Sequence, residues 1–227
     1  MFRLKKELIP GTVVWANRNI YYDEPDRPLY GKRSMYLITM VNSEYFFGCP
    51  LTTSSSTKNR TVLDKKYYPI KYNSRITECL YCLSYFDIVS PKTFQISEGT
   101  FEHFKRDLYK KIILGYADSP KEYNDVFIEE YLKDHQPTIG NILVYPTEEK
   151  VCKYYYICDM DQDTYSVLPL VNQKYIYSLV NDKKETIPKN IKFFDYFQNY
   201  KLEEKTEERL MILTKTRNLG SMPSYNK

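Results

Sequence analysis

The chain has 227 residues, enough for one large domain or two small ones to bury a core without disulfides or metals. Hydrophobic residues make up 42% of it and charged residues 27%, and no run of eighteen apolar residues occurs, so the composition is that of a soluble globular protein and excludes a membrane helix. The net charge of +4 is unevenly distributed, because residues 1–116 hold 18 Lys and Arg against 11 Asp and Glu, which favours a polyanionic ligand for this half.

The first half of the sequence predicts a small β-barrel closed by a helix. Segments rich in β-branched and aromatic residues predict about five strands, at residues 12–15, 34–40, 45–51, 67–71 and 79–89. A long polar loop, residues 17–32, separates the first two strands. After Pro91 the apolar residues recur at the helical period, at Phe101, Phe104, Leu108 and Ile112. Thr100 is expected to cap this helix and Gly115 to end it.

A second helix is predicted within residues 117–137, which we interpret as a helical linker. Ser119 and Pro120 are the residue types preferred at a helix cap and at the first helical position, and Glu122 completes a capping box. The apolar stripe of this helix consists of Tyr123, Phe127 and Tyr131.

From residue 138 the strand pattern resumes and resembles that of the first half. Four pairs of segments correspond, namely 10–15 with 139–144, 33–37 with 153–157, 46–51 with 165–170, and 81–86 with 192–197. Similar order and spacing predict a second barrel. The alternative is that any two regions of short strands look alike at this level. The expected fold class is therefore α+β and mainly β, with tandem small barrels over 1–116 and 138–227, each with a helix.

The cysteines and histidines indicate neither a metal site nor a disulfide framework. Five cysteines are an odd number, and they lie in apolar segments, which suits reduced thiols. Cys79 and Cys82 form a C-x-x-C pair, but residues three apart on a strand face opposite ways and do not easily share a metal ion. We interpret His103 and His135 as structural or surface residues, and we expect no metal or cofactor.

Two polar segments flank predicted strands of the first half. Lys32 and Arg33 precede the strand 34–40, and the hydroxyl-rich residues 52–56 follow the strand that ends at Leu51. If the two strands are neighbours, their ends bring a guanidinium group close to hydroxyl groups, and this combination binds phosphate. The alternatives are that Arg33 is a surface charge at a strand end and that the Ser/Thr run is a flexible turn.

In their order along the chain, these segments resemble the MazF/PemK toxins. A Gly-x-Val-Val-Trp strand, a long acidic loop, an Arg before a Tyr-Leu-Ile strand and a Pro-Leu-Thr segment follow one another as in that family, over roughly the first half. The resemblance implies an SH3-like barrel that cuts single-stranded RNA without a metal ion. It also implies that the catalytic residues are Arg33, Thr52 and Thr53, and we expect Lys32, Ser54, Lys58 and Arg60 to bind the RNA.

In the implied reaction the ribose 2′-hydroxyl attacks the adjacent phosphate, Arg33 stabilises the oxyanion and Thr52 fixes its geometry. The expected partners are single-stranded mRNA and an antitoxin protein of a toxin–antitoxin or phage-defence module. Because residues 1–11 show no secretory signal, we expect a cytoplasmic protein with no membrane partner. One departure from the family is that residues 81–86 carry no charge where many members have one, so a second catalytic charge is either missing or supplied by Lys58, Arg60 or the acidic loop. The alternative function is therefore a non-catalytic barrel that binds nucleic acid or a protein.

The second half lacks this site, since Lys153 and Val171 stand at the places that match Arg33 and Thr52. We expect the second barrel to replace the partner subunit of a homodimer within one chain. The expected state is a monomer with two pseudo-dimeric barrels, and the alternative is a homodimer.

Overall fold

A computed structural model describes residues 8–18, 32–52, 60–62, 75–146, 152–189 and 193–215. Within these ranges the protein is α+β and mainly β, with curled sheets, as the sequence predicted. The chain divides into two compact units, residues 1–134 and residues 135–227, so the boundary lies inside the segment interpreted as a linker. The strand predicted at 67–71 and most of the loop 17–32 lie outside the described residues.

Unit 1 contains a curled antiparallel sheet, whose described strands follow the order β4-β5-β3-β2-β1-β7, with β6 paired to β3. Residues 85–87 form a short 3-10 turn between β6 and β7. The strands are β1 (Thr12–Arg18), β2 (Lys32–Val41), β3 (Tyr45–Thr52), β4 (Arg60–Val62), β5 (Arg75–Thr77), β6 (Tyr81–Ser84) and β7 (Ile88–Gln95).

The first helix, α1 (Glu98–Ile113), buries the predicted face of Phe101, Phe104, Leu108 and Ile112. The predicted cap at Thr100 is wrong, because Ser97 caps the helix three residues earlier. The Ser97 hydroxyl accepts a hydrogen bond from the Thr100 amide at 3.4 Å, and the Ser97 carbonyl accepts one from the Phe101 amide at 3.0 Å. Gly115 has a φ of +72°, so it ends the helix as predicted.

The second helix, α2 (Lys121–Asp134), packs into the core of unit 1. It begins directly after Pro120, whose carbonyl accepts hydrogen bonds from the Tyr123 and Asn124 amides, both at 3.1 Å. Tyr131 stacks on Tyr109 of α1 with ring centroids 4.4 Å apart, and the two rings are buried. Burial of such rings stabilises by several kcal/mol, roughly 25 cal/mol per Å² of apolar surface. The helix interpreted as a linker is thus part of unit 1.

Alternating residues of the unit 1 sheet contribute to two hydrophobic clusters. Val13 and Leu37 belong to the cluster that includes both helices, whereas Val14 and Tyr36 belong to a cluster with residues of β3, β6 and the 3-10 turn. Because a strand alternates its side chains, this assignment shows that the central strands are buried on both faces. A sheet buried in this way is a rigid support for residues at its edges.

Unit 2 contains a second curled sheet, in the order β13-β8-β9-β10-β11-β14, with β12 paired to β10. All described pairs in it are antiparallel except β11 with β14. The strands are β8 (Ile142–Pro146), β9 (Cys152–Met160), β10 (Thr164–Gln173), β11 (Ile176–Leu179), β12 (Glu185–Pro188), β13 (Asp195–Phe197) and β14 (Lys201–Leu202). One helix, α3 (Glu204–Lys215), packs Leu210 against Leu168 and Cys158.

The two sheets share their strand order and their register. The path β5-β3-β2-β1-β7 of unit 1 corresponds to β11-β10-β9-β8-β13 of unit 2. Tyr36 of β2 lies opposite Pro50 of β3, and Tyr155 of β9 lies opposite Pro169 of β10. The hairpin turns also correspond, since the Asn42 side chain accepts hydrogen bonds from the amides two and three residues later, at 2.9 and 2.8 Å, and the Asp161 side chain does the same at 2.9 and 2.7 Å.

The register corrects two of the sequence correspondences. Three residues before Tyr36 and Tyr155 stand Arg33 and Cys152, so the residue that matches Arg33 is Cys152 and not Lys153. The sequence pattern was one residue out because aromatic residues fill several successive positions of β9. In addition, β12 pairs with β10 as β6 pairs with β3, so β12 takes the place that was assigned to residues 192–197.

Candidate functional site

Several of the predicted site residues lie at one edge of the unit 1 sheet, which here means the side on which β2 begins and β3 ends. Strand β2 begins at Lys32 and the antiparallel neighbour β3 ends at Thr52, so these two strand ends share an edge. On the other side of β2, Arg18 of β1 lies opposite Lys32, and Asn17 lies opposite Arg33. The pairs between β2 and β3 end at Tyr36 and Pro50, so the backbone positions of Arg33 and Thr52 follow this pair at the same end of the hairpin.

Strand β5 adds Arg75 to this edge, and the sequence reading missed it. Arg75 lies opposite Thr52 of β3 and also opposite Val62 of β4. The strand has only three residues, Arg75–Thr77, and no apolar run that would have marked it. A basic residue before an Ile-Thr pair was the one available signal. We call Arg18, Lys32, Arg33, Thr52 and Arg75 the basic edge.

The other predicted contact residues are placed differently. Arg60 begins β4 and lies opposite Thr77, two positions further along β5 than Arg75, so the register does not bring it to the level of Thr52. Thr53, Ser54 and Lys58 lie outside the described residues.

Trp15 is a second residue that the sequence reading did not include in the site. It lies opposite Met35 on β2, two residues along β1 from Asn17, and its side chain is 41% exposed. It is the one tryptophan of the chain. A large exposed ring beside cationic positions is the combination that holds unpaired bases, which stack on aromatic faces while lysine and arginine contact the phosphates.

Contacts with the protein interior fix the strand end that carries Thr52. The Thr77 hydroxyl donates a 2.9 Å hydrogen bond to the carbonyl of Pro50, and Leu51 is buried. Glu78, which follows β5 directly, has a fully buried carboxylate that contacts the Lys111 ammonium group of α1. Fixed neighbours hold a strand end in one geometry, which catalysis and specific binding both require.

Among the described residues, the cysteines near this strand do not form a metal site, and the thiol of Cys49 is buried. Burial, with smaller contributions from Cys79 and Glu78, raises the pKa of the Cys49 thiol well above its ordinary value, so this thiol is neutral at physiological pH. Cys79 is half-buried and Cys82 is exposed. Within the described ranges, no three His, Cys, Asp or Glu side chains come together as metal ligands.

His103 lies on the exposed side of α1, where its Nε2 is 3.4 Å from the Asp107 carboxylate, and His135 is the first residue of unit 2.

At the corresponding edge of unit 2, other residues replace Arg33 and Thr52. Cys152 stands at the position of Arg33 and Val171 at the position of Thr52. Val171 is 41% exposed, so an apolar side chain lies where unit 1 has a hydroxyl. This edge therefore has neither a guanidinium group nor a hydroxyl group at the positions that correspond to Arg33 and Thr52.

The chain matches no protein-family model and no curated protein. Among the described residues, no helix is long and apolar enough to cross a membrane. The geometry of the basic edge is therefore the main guide to function. Arginine, lysine and threonine positions at strand ends, near an exposed indole, are a combination of residue types suited to a phosphodiester chain with unpaired bases.

Proposed function

We propose that unit 1 is an SH3-like barrel that cleaves single-stranded RNA at the basic edge without a metal ion. The observation that supports the proposal is the register of β1, β2, β3 and β5, in which the backbone positions of Arg33, Thr52 and Arg75 belong to strand ends on the same side of the sheet. Arg75 supplies the second cation that residues 81–86 lack. Trp15 on β1 provides a stacking surface close to the position of Arg33 on β2.

In this reaction the RNA supplies its own nucleophile. The ribose 2′ oxygen attacks the adjacent phosphorus and loses its proton to solvent or to a base, while the bond from phosphorus to the 5′ oxygen breaks. The leaving oxygen takes up a proton, so that the products are a 2′,3′-cyclic phosphate and a 5′-hydroxyl. In this proposal Thr52 and Arg75, which lie opposite one another, contact the phosphoryl oxygens from one face of the sheet, and Arg33, which alternation places on the other face, contributes its charge around the end of β2.

We further propose the cellular setting that the sequence resemblance implies, which is a toxin acting on mRNA in the cytoplasm and neutralised by an antitoxin protein. Unit 2, with the same strand order but without the arginine and threonine, is then a non-catalytic second barrel. In this proposal one chain carries one active site.

The second candidate function is a barrel that binds single-stranded nucleic acid without cutting it. The absence of any charged residue from 81–86 favours this reading, because it leaves no acidic or basic side chain on β6 to transfer the 2′ proton.

Cleavage in the presence of EDTA distinguishes the two functions. Purified protein is incubated with a single-stranded RNA pool and the product ends are mapped. We expect sequence-restricted cuts, and Arg33→Ala should reduce the rate about 100-fold or more, because an oxyanion-stabilising group is lost. Thr52→Val, which creates the residue found in unit 2, should reduce the rate about 10- to 1,000-fold.

The matched controls are Lys121→Ala, which removes an exposed cation from α2, and Thr186→Val, which removes an exposed strand hydroxyl from β12. Both should cut at the wild-type rate. RNA that stays intact at high protein concentration, together with quenching of Trp15 fluorescence by the RNA, would instead establish the binding function.

A further inference from the structure

A cleft of about 900 Å³ lies in unit 2, at the edge that corresponds to the basic edge of unit 1. Cys152 and Val171, the structural counterparts of Arg33 and Thr52, both line it. The edge without catalytic residues is thus an open cavity with its own set of side chains.

Tyrosine rings line this cleft. Tyr154 and Tyr155 are half-buried, and Tyr175 at the rim is 84% exposed. Burial, and next the neighbouring Glu185, raise the pKa of Tyr155, so its phenol stays protonated and hydrogen-bonded to Glu185. One ring is therefore fixed in the wall, while the ring of Tyr175 presents its faces to solvent.

The position of Tyr175 is unfavourable for the fold. Tyr175 and Lys174 form the two-residue turn between β10 and β11, with φ of +69° and +52°. Positive φ at both positions is the geometry for which glycine and asparagine are preferred, and other residues are strained there. The Asn172 side chain stabilises the turn by accepting a 2.9 Å hydrogen bond from the Tyr175 amide. A strained, solvent-exposed aromatic residue at a cavity rim indicates a binding role.

The polar lining carries two lysines, two side-chain amides and the carboxylate of Glu185, which is hydrogen-bonded to Tyr155. Lys153 and Lys174 are both exposed at the cleft, and Asn172 and Asn181, whose Oδ1 atoms accept hydrogen bonds from the Tyr175 and Lys183 amides, present their NH2 groups as donors. Rings, ammonium groups and amides match the three parts of a nucleotide chain, which are the base faces, the phosphates and the base edges. A proline-rich peptide would use the rings but leave both lysines without a counter-charge.

We propose that this cleft binds a segment of single-stranded RNA without cutting it, with a base stacked on Tyr175 and phosphates held by Lys153 and Lys174. That this strand is the one cut in unit 1 rests on the proposed function, but binding to the cleft does not. Unit 2 would then hold the RNA at a site derived from the same sheet edge that catalyses in unit 1.

The test uses the full chain and a fluorescein-labelled 12-nucleotide RNA whose 2′-hydroxyls are methylated. This probe has no attacking hydroxyl, so the wild-type protein binds it without the proposed cleavage. Fluorescence anisotropy should show Tyr175→Ser binding about 5- to 100-fold more weakly, whereas Tyr175→Phe, which keeps the ring, should bind within about twofold of wild type. Lys153→Ala should lower the slope of log affinity against log salt by about 0.7, as expected for one lost phosphate contact.

Two further variants control for nonspecific effects. Tyr116→Ser removes a tyrosine that is 47% exposed in unit 1 and should bind as wild type. Tyr175→Gly should raise the thermal midpoint, because glycine relieves the strained turn, and should still weaken binding as much as Tyr175→Ser.

The proposal is overturned if Tyr175→Ser binds the probe as tightly as wild type, or if Tyr175→Phe binds it as weakly as Tyr175→Ser. It is also overturned if a proline-rich peptide displaces the probe and the protein binds duplex RNA as tightly as single-stranded RNA. If no RNA is cleaved by the wild-type protein but the probe is still bound through Tyr175 and Lys153, the reaction proposed for unit 1 fails and the cleft in unit 2 stands.

Discussion

The hairpins β2–β3 of unit 1 and β9–β10 of unit 2 have the same turn and the same register, yet their open ends differ in chemistry. At the shared bulge, Thr39 donates a 3.0 Å hydrogen bond to the carbonyl of Phe47, and the Cys158 thiol donates one of 3.1 Å to the carbonyl of Ser166. The interior of the hairpin thus keeps its interactions even where the side chain changes. Packing constrains the interior strongly, whereas the edge is free to change its chemistry.

The connections after the hairpins differ more than the hairpins themselves. In unit 1, residues 53–74, which include strand β4, connect β3 to β5. In unit 2 only Lys174 and Tyr175 connect β10 to β11. The short turn presents an exposed ring, and the long insertion contains the hydroxyl run and Lys58. The structural difference between these hairpins is therefore concentrated at one end.

The ion pairs that tie a helix to the sheet give the largest expected difference in stability between the units. In unit 1, Lys111 of α1 contacts the fully buried carboxylate of Glu78. In unit 2, Arg209 of α3 contacts Asp182 with both side chains about half exposed, at a Nε–Oδ2 distance of 2.8 Å. Glu78 lies between β5 and β6, and Asp182 lies between the corresponding strands β11 and β12.

Lys111→Met should destabilise unit 1 by about 2 to 4 kcal/mol, because it leaves a buried carboxylate without its cation. Urea unfolding followed by Trp15 fluorescence measures this, since the one tryptophan reports on unit 1. Arg209→Met is the matched variant in unit 2, and its unfolding by far-UV circular dichroism should be close to wild type, because exposed pairs contribute little. Equal losses in the two variants would contradict this difference.

Much of the fold was predictable because the strands of the hairpins and the helix faces carry strong periodic patterns. The strands around Val13, Leu37 and Cys49 and the buried face of α1 follow directly from the spacing of apolar residues. The three-residue strands β4 and β5 did not, since such short segments are stabilised by their neighbours and have no pattern of their own. The cap at Ser97 was missed because Thr100, three residues later, is an equally good cap by residue type.

The candidate site was predictable only in part. Arg33 and Thr52 could be placed together because each stands at the end of a predicted strand. Arg75 could not, because its place opposite Thr52 depends on the pairing of β3 with β5, which residues far apart in sequence determine. The cleft of unit 2 was missed for a related reason, since a register error of one residue hid its correspondence with the basic edge.

The bulge bond offers a smaller test of the comparison. Thr39→Val keeps the shape of the side chain but leaves the carbonyl of Phe47 without the hydroxyl, so it should cost about 1 to 2 kcal/mol in unit 1. Thr39→Cys, which places the residue of unit 2 at this position, should cost less because a thiol is still a weak donor. Urea unfolding of the two variants by Trp15 fluorescence gives both values. If Thr39→Cys proves as costly as Thr39→Val, the two bulge bonds are not equivalent.

The smallest expected effect concerns the carbonyl before each first strand. In unit 1 the carbonyl of Gly11 accepts a hydrogen bond from the Ile96 amide at 3.0 Å, whereas in unit 2 the carbonyl of Gly140 accepts one from the Tyr200 hydroxyl. An amide does not titrate in this range, but a phenol does. Burial, with smaller contributions from Tyr156 and Glu207, raises the pKa of Tyr200 to about 12.

Because the pKa of Tyr200 is higher in the folded state than the value of about 10 in an unfolded chain, the unfolded state releases the proton first. The stabilisation is therefore complete below pH 10 and is lost as the pH rises towards 12. Between pH 9 and pH 11 the wild type should lose about 1 kcal/mol more than Tyr200→Phe, after allowance for partial solvent screening. Urea unfolding at both pH values by far-UV circular dichroism measures this difference, and the Trp15 transition of unit 1 should be the same in both proteins. If Tyr200→Phe loses as much unfolding free energy between pH 9 and pH 11 as the wild type, ionisation of this phenol does not destabilise unit 2.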